Sequence, residues 1–207
     1  MKKKNLSEIN KYYSEKIIEH GASSHGVDWN GKESHFLRFE QLCKVLEKDD
    51  KFSILDYGCG FGSLIDFLDK HNYQYKYFGF DISLEMIKKA KSIYSSKKIQ
   101  FSSVLNNSYF DYTIANGVFN VKLDSSQNEW TNYIENTLEE INRFSKKGFS
   151  FNILTSYSDN EYRKDYLYYA DPHYFFDFCK KKFSINVALL HDYDLYEFTI
   201  IVRKKNK

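Results

Sequence analysis

From residue 52 onward, short apolar runs alternate with segments of helical period, and this alternation restricts the fold more than any other feature of the sequence. The runs 52–57, 75–80, 99–103, 110–115 and 148–154 are rich in Phe, Tyr and Ile and read as strands. Between them, 63–71, 84–94 and 128–145 read as helices; the last places Trp130, Tyr133, Ile134, Leu138 and Ile141 three and four residues apart. Strands separated by helices pair in parallel, so a parallel sheet covered on both faces is expected. The pattern breaks at the end. After a helix over 172–181, the runs 183–190 and 198–203 are separated by about seven residues, too few for a crossover helix. They are expected as an antiparallel hairpin closing a seven-stranded, mostly parallel sheet.

Residues 1–51 differ. Segments 6–20 and 33–47 carry apolar residues at helical spacing (Ile9, Tyr12, Tyr13, Ile17; Phe36, Phe39, Leu42, Leu46). They flank a turn-rich stretch holding Gly21, Gly26 and Gly31 beside Asp28 and Trp29. We read 1–51 as a helical cap or lid carrying a functional loop, and 52–207 as the core. The length of 207 residues suits one domain with such an extension. Hydrophobic residues at 42% and charged residues at 28% exclude a disordered chain.

Thirty Lys+Arg stand against 28 Asp+Glu, without the basic excess of a nucleic-acid groove. No apolar run approaches the ~20 residues of a membrane span, and no apolar segment follows the basic start, so neither a span nor a secretory signal is expected. Cys43, Cys59 and Cys179 show no metal-binding spacing, which points to reduced thiols, a cytoplasmic protein and no metal site.

The sequence Ile-Leu-Asp-Tyr-Gly-Cys-Gly-Phe-Gly (54–62) follows a strand and opens a helix. Glycines two apart let the backbone approach a ligand where side chains would clash. The pattern is G-x-G-x-G, not the G-x-G-x-x-G that seats a pyrophosphate, which disfavours a nicotinamide-dependent oxidoreductase. With Asp56 two residues before the first glycine, the loop suits a cationic, phosphate-free ligand. Asp81, at the end of the second strand, is placed to accept from both hydroxyls of a ribose. S-adenosylmethionine satisfies both requirements. A small-residue role is the reading for Cys59.

With Phe-Gly-Phe-Asp-Ile-Ser-Leu-Glu-Met-Ile (78–87) and Phe-Asp-Tyr-Thr-Ile-Ala-Asn-Gly-Val-Phe (110–119), these residues resemble the class I S-adenosylmethionine-dependent methyltransferases over 52–204. The resemblance implies a Rossmann-like α/β fold. It places Gly58, Gly60, Phe61 and Gly62 along the methionine part of the cofactor, Asp81 at the ribose, Ile82 and Met86 near the adenosine, and Asn116 and Gly117 beside the sulfonium. The family often has an acidic residue after the third strand to hold adenine; here Ser102 and Ser103 stand in a segment without a carboxylate.

Gly-Val-Asp-Trp-Asn (26–30), Arg38-Phe39, Gly-Val-Phe-Asn-Val-Lys (117–122) and His-Asp-Tyr (191–193) further resemble a bacterial subgroup of surface-polysaccharide gene clusters, one branch of which methylates capsule phosphoramidate. That implies a small polar acceptor methylated on oxygen, such as a sugar nucleotide or a phosphoramidate or phosphate precursor. Trp29, Asn120 and Tyr193 are the candidate acceptor contacts. Arg38 is placed with the cofactor set, as a clamp for a carboxylate or phosphate, with a surface ion pair as the alternative. His191 ends a strand on the ligand side of the sheet and is the expected general base, oriented by Asp192; a structural strand-end histidine has the same signature. His25 and His173 are weaker candidates. No Asn/Asp-Pro-Pro-Tyr turn follows the fourth strand, which disfavours N-methylation of planar amides. Asp171-Pro172-His173-Tyr174 imitates that motif at a helix start, where Asp as cap and Pro as first helical residue explain it. An amine, carboxylate or tRNA acceptor, and a cofactor-binding regulator without transfer activity, remain open.

Overall fold

The computed structural model describes residues 3–21, 32–48, 51–106 and 108–205. In chain order its elements are α1 (Lys3–His20), α2 (Lys32–Leu42), β1 (Phe52–Tyr57), α3 (Leu64–Lys70), β2 (Tyr75–Phe80), α4 (Leu84–Ile93), β3 (Gln100–Ser102), β4 (Phe110–Ala115), α5 (Gln127–Phe144), β5 (Ser145–Leu154), α6 (Pro172–Lys182), β6 (Asn186–Leu190) and β7 (Glu197–Arg203). Short 3-10 turns follow α2 at Cys43–Val45 and lie at Asn160–Tyr162.

The seven strands form one sheet in the order β3-β2-β1-β4-β5-β7-β6. β1 to β5 pair in parallel, and β7 runs antiparallel between β5 and β6. The expected Rossmann-like α/β sheet with a terminal hairpin is therefore present. Strand order reverses between β1 and β4, and open sheets of this kind take ligands in the crevice outside the carboxyl ends at such a switch point.

Each face of the sheet buries an apolar layer. On one side Trp130, Ile134 and Leu138 of α5 and Phe175 of α6 pack against Phe149 and Phe151 of β5. On the other, Phe39 and Leu42 of α2 pack with Leu64 and Phe67 of α3 and Ile87 of α4. Local chemistry sets the helix starts. Ser126 and Glu129 form a reciprocal capping box on α5, and Ser83 accepts from the Met86 N–H to cap α4. Asp171 accepts from the His173 N–H with Pro172 in the first turn of α6, so the Asp-Pro-His-Tyr stretch is a helix start. β6 begins at Asn186, later than the apolar run 183–190 suggests, because the Phe183 and Ser184 N–H groups both donate to the Cys179 carbonyl and terminate α6.

α1 lies over the ends of β1 and β2. Ile9 and Ile17 are buried, and the Ser14 hydroxyl is 2.8 Å from that of Ser83 at the start of α4. No helix among the described residues is long and apolar enough to cross a membrane. Trp29 and His25, with the rest of the loop between the first two helices, lie outside the described residues.

A Cβ on Gly148 would lie 2.5 Å from the Val202 carbonyl oxygen of the neighbouring strand. Gly148→Ala should therefore destabilise the fold by about 1–3 kcal/mol in urea denaturation.

Candidate active site

The carboxyl ends of β1, β2 and β4 open onto one cleft. β1 passes into the turn 58–62, in which Gly58, Gly60 and Gly62 adopt φ of +78°, +53° and +91°. L side chains rarely take that conformation. The Gly58 and Cys59 N–H groups both donate to the Phe80 carbonyl, at 2.7 and 2.9 Å, which ties the turn to the tip of β2. A Cβ on Gly58 would lie 2.5 Å from a methyl of Val118, so the turn meets the segment after β4 at a distance only glycine allows.

Two carboxylates face this cleft. Asp81 accepts from the Gly60 N–H through Oδ2 (2.9 Å) and from the Ser83 N–H through Oδ1 (2.8 Å). Each oxygen retains capacity for another donor. Asp56 is 3% exposed and accepts from the Tyr77 hydroxyl at 2.6 Å. Burial pushes Asp56 up to about 7, with the nearby Asp81 adding to the rise and Tyr77 opposing it. Burial pushes Asp81 to about 6 against its two N–H donors. The Cys59 thiol is raised well above its ordinary range by burial and by both carboxylates, so it stays protonated.

The remaining walls are Ile9 and Tyr13 of α1, His35 and Phe39 of α2, Ile82 and Met86 beside Asp81, Asn116 and Gly117 after β4, and Trp130 and Tyr133 of α5. Phe61 and Gly62 do not line the cleft; a Cβ on Gly62 would meet Tyr94, Ile65 and Phe101, so this glycine serves packing beneath the turn. Ser102 and Ser103 are absent from the lining as well, and the Ser102 hydroxyl closes a turn with Val104.

A second cavity, of about 900 Å³, adjoins the first; Tyr13 and Gly117 line both. Asn120 and Tyr193, two candidate acceptor contacts, line it together with Arg38, Lys164 and Tyr166. Arg38 thus faces this cavity and not the first: its Nε lies 2.8 Å from Oε1 of the buried Glu197. Asn152 links this ion pair to the junction between the cavities. Its Nδ2 donates to Glu197 (3.2 Å) and to Asn116 Oδ1 (3.0 Å), and its Oδ1 accepts from the Gly117 N–H (2.7 Å).

The expectation of His191 as base is not met by the geometry. His191 and Asp192 are exposed and line neither cavity. The end of β6 is on the ligand side of the sheet, as reasoned, but β6 is the edge strand, four positions from β1 and about 19 Å away at the usual strand spacing. The His191 ring instead lies 5.8 Å from that of Tyr157 and 6.2 Å from that of Phe198. His173 sits exposed at the start of α6.

Sequence reasoning passed over His35, Asn152 and Glu197. His35 shares the inward stripe of α2 with Phe39 and Leu42, a spacing visible in the sequence. Asn152 and Glu197 are polar residues in otherwise apolar strand runs, a weaker sign of the same kind.

The family model described as a methyltransferase domain matches residues 54–148. A protein of Mycobacterium tuberculosis (strain ATCC 25618 / H37Rv), Rv1506c, which carries the provisional name of methyltransferase, is 46% identical over 170 residues, covering 78% of this chain and 98% of that protein. The chain belongs to the S-adenosylmethionine-dependent methyltransferase family. Solved structures share the methyltransferase fold at low identity. The PH0226 protein from Pyrococcus horikoshii OT3 superposes with a TM-score of 0.60 at 16% identity, covering 86% of this chain and 93% of that one. The magnesium protoporphyrin IX methyltransferase of Synechocystis PCC 6803, solved with bound S-adenosylmethionine, gives 0.59 at 13%, covering 83% and 81%.

The methyltransferase's two raised carboxyls have a consequence for stability. Both bind protons more tightly folded than unfolded, so their contribution is fully present below about pH 4 and is lost as pH rises through about 6 and 7. Each group adds a slope of up to about 1.4 kcal/mol per pH unit. Urea denaturation of the ligand-free enzyme between pH 5 and 8 should show Asp56→Asn losing less stability than wild type. Parallel curves for the two proteins would mean that Asp56 does not titrate in this range.

Proposed function

We propose that this methyltransferase binds S-adenosylmethionine in the first cleft and methylates an oxygen of a small polar acceptor held in the second cavity. The observation that carries the reading is the pair Asp56 and Asp81, two buried carboxyls of raised pKa on one cleft lined by no Lys or Arg among the described residues. A cation placed there relieves both. The cofactor brings a sulfonium and an ammonium, and its ribose brings two hydroxyls to the remaining acceptor capacity of Asp81. The Gly58–Gly60 segment, Asn116 and Gly117 line the methionine part, and Ile82 and Met86 offer apolar surface to the adenosine. When bound, S-adenosylmethionine supplies a methyl group on cationic sulfur, open to in-line displacement by an acceptor electron pair.

Gly117 lies at the junction, so an acceptor in the second cavity meets the cofactor there. The Asn152–Glu197–Arg38 network holds that junction fixed, and such positioning is itself a large part of catalysis. α1 acts as the lid, since Ile9 and Tyr13 line the cleft from outside the sheet. The second cavity's volume suits a small molecule. Tyr162, Tyr166, Tyr169, Tyr193 and Tyr196 give it apolar ring faces with polar edges, a surface for a sugar or base ring, and Lys164 adds a cation for a phosphate. No histidine lines it among the described residues, and burial pushes the Tyr193 phenol above its ordinary range. Glu161 and Asp194 line the cavity too and could take the proton of a hydroxyl acceptor, whereas an already anionic oxygen needs no base. In this reading the acceptor is a phosphorylated or phosphoramidate precursor of a surface polysaccharide, or a sugar nucleotide, with Lys164 as its phosphate contact.

Transfer of labelled methyl should be sought over sugar nucleotides, nucleotidyl phosphoramidates, amines and tRNA. Product in the first two classes supports the reading. Product with an amine or tRNA overturns the acceptor class, and cofactor binding without any product points to a regulator. On the accepted substrate, Lys164→Gln should raise KM severalfold while leaving the dissociation constant for S-adenosylmethionine unchanged. In calorimetry, Asp81→Ala should weaken the cofactor by about tenfold or more, since charge-assisted hydrogen bonds contribute roughly 1.5–3 kcal/mol each. Wild-type affinity in a folded Asp81→Ala protein removes Asp81 from the site.

A further inference from the structure

Resting on the cofactor assignment above, we propose that His35 and Ser63 seat the carboxylate of the cofactor's amino-acid tail. S-adenosylmethionine carries two cations and one anion. The cleft supplies two carboxylates, and among the described residues lining it His35 is the one side chain able to carry positive charge. His35 is 7% exposed on α2, and its Nε2 lies 3.3 Å from the Ser63 hydroxyl. Ser63 directly follows the glycine turn, beyond Gly60, whose N–H holds Asp81. The pair therefore stands at the exit of the turn, and Asp81 at its β2 side. This matches a ligand lying along the turn with its ribose at one end and its amino-acid tail at the other.

Two other side-chain donors of the cleft are engaged elsewhere. The Tyr57 hydroxyl donates to Glu140, and the Trp130 ring N–H to the Phe119 carbonyl. Arg38 and the Phe39 ring on its own helix and Ser63 ahead of α3 neighbour His35, which shares the cleft with Asp56 on β1, Cys59 in the turn, Asp81 after β2, Tyr13 on α1 and Tyr133 on α5. Burial and Arg38 hold the imidazole down to about 4, so at neutral pH it offers a neutral N–H. A carboxylate beside it offsets both effects, and Arg38 behind it adds favourable charge.

The test is a cycle of variant against ligand, read by calorimetry. The ligands are S-adenosylmethionine and decarboxylated S-adenosylmethionine, which lacks only the carboxylate. The proteins are wild type, His35→Leu, His35→Gln and Ser63→Ala. His35→Leu should lose about tenfold or more in affinity for S-adenosylmethionine and stay within about twofold for the decarboxylated ligand. His35→Gln keeps a side-chain N–H and should recover part of the loss. Ser63→Ala should show a smaller loss of the same selectivity, and these two variants carry the test if His35→Leu does not fold. Equal losses for both ligands, or none, overturn the proposal and return His35 to packing. Wild type that binds neither ligand instead overturns the cofactor assignment on which the proposal rests.

Discussion

Two carboxylates at the carboxyl ends of adjacent parallel strands govern this site. In-register pairing of β1 with β2 brings Asp56 and the tip of β2 together, and the next residue after β2 is Asp81. Burial makes both costly to ionise, and Asp81 adds to the cost at Asp56. The fold accepts that unfavourable charge because the turn is built around it. Gly60 and Ser83 turn their N–H groups toward Asp81, and Tyr77 turns its hydroxyl toward Asp56. Two buried carboxyls of raised pKa are thus kept at the expense of the ligand-free fold, a trade common at functional sites.

The second cavity follows from the same topology. β4 ends at the switch point, and its following residues, Asn116 and Gly117, form the wall between the two spaces. The terminal hairpin brings Glu197 beside Asn152 of β5, and α2 brings Arg38 to Glu197. One buried polar network thereby ties α2, the central sheet and the hairpin to the wall between the two cavities. Breaking one member leaves the others buried without a partner, which makes such networks stiff. α2 belongs to this framework, while α1 reaches over the cleft through Ile9, Tyr13 and the Ser14–Ser83 contact.

Much of this was legible in the sequence because period and punctuation are local. Strand and helix boundaries fell within a few residues, and the Gly58–Gly62 turn, Asp81 and the terminal hairpin were each readable from spacing alone. The cofactor class followed from residues at strand ends, whose neighbours are dictated by parallel pairing. The failures come from relations that are remote in sequence. That His191 ends a strand on the ligand side says nothing about its distance across the sheet, and β6 proved to be the edge. Arg38 was placed with the cofactor because its buried partner, Glu197, is remote in sequence. His35 was passed over because an inward-facing histidine on an apolar stripe looks like packing until Ser63 is seen beside it.

The central claim is that Asp56 and Asp81 hold a cation. Calorimetric titrations at pH 6.5, in buffers of different ionisation enthalpy, count the protons exchanged on binding. S-adenosylhomocysteine shares every group of S-adenosylmethionine except the methyl and the sulfonium charge, so contributions from the amino-acid tail, including any at His35, cancel between the two. Bringing the sulfonium to the cleft should drop both carboxyls toward their ordinary range, releasing on the order of one proton, with clearly fewer released by S-adenosylhomocysteine. Equal proton counts for the two ligands, or none for either, would contradict the account.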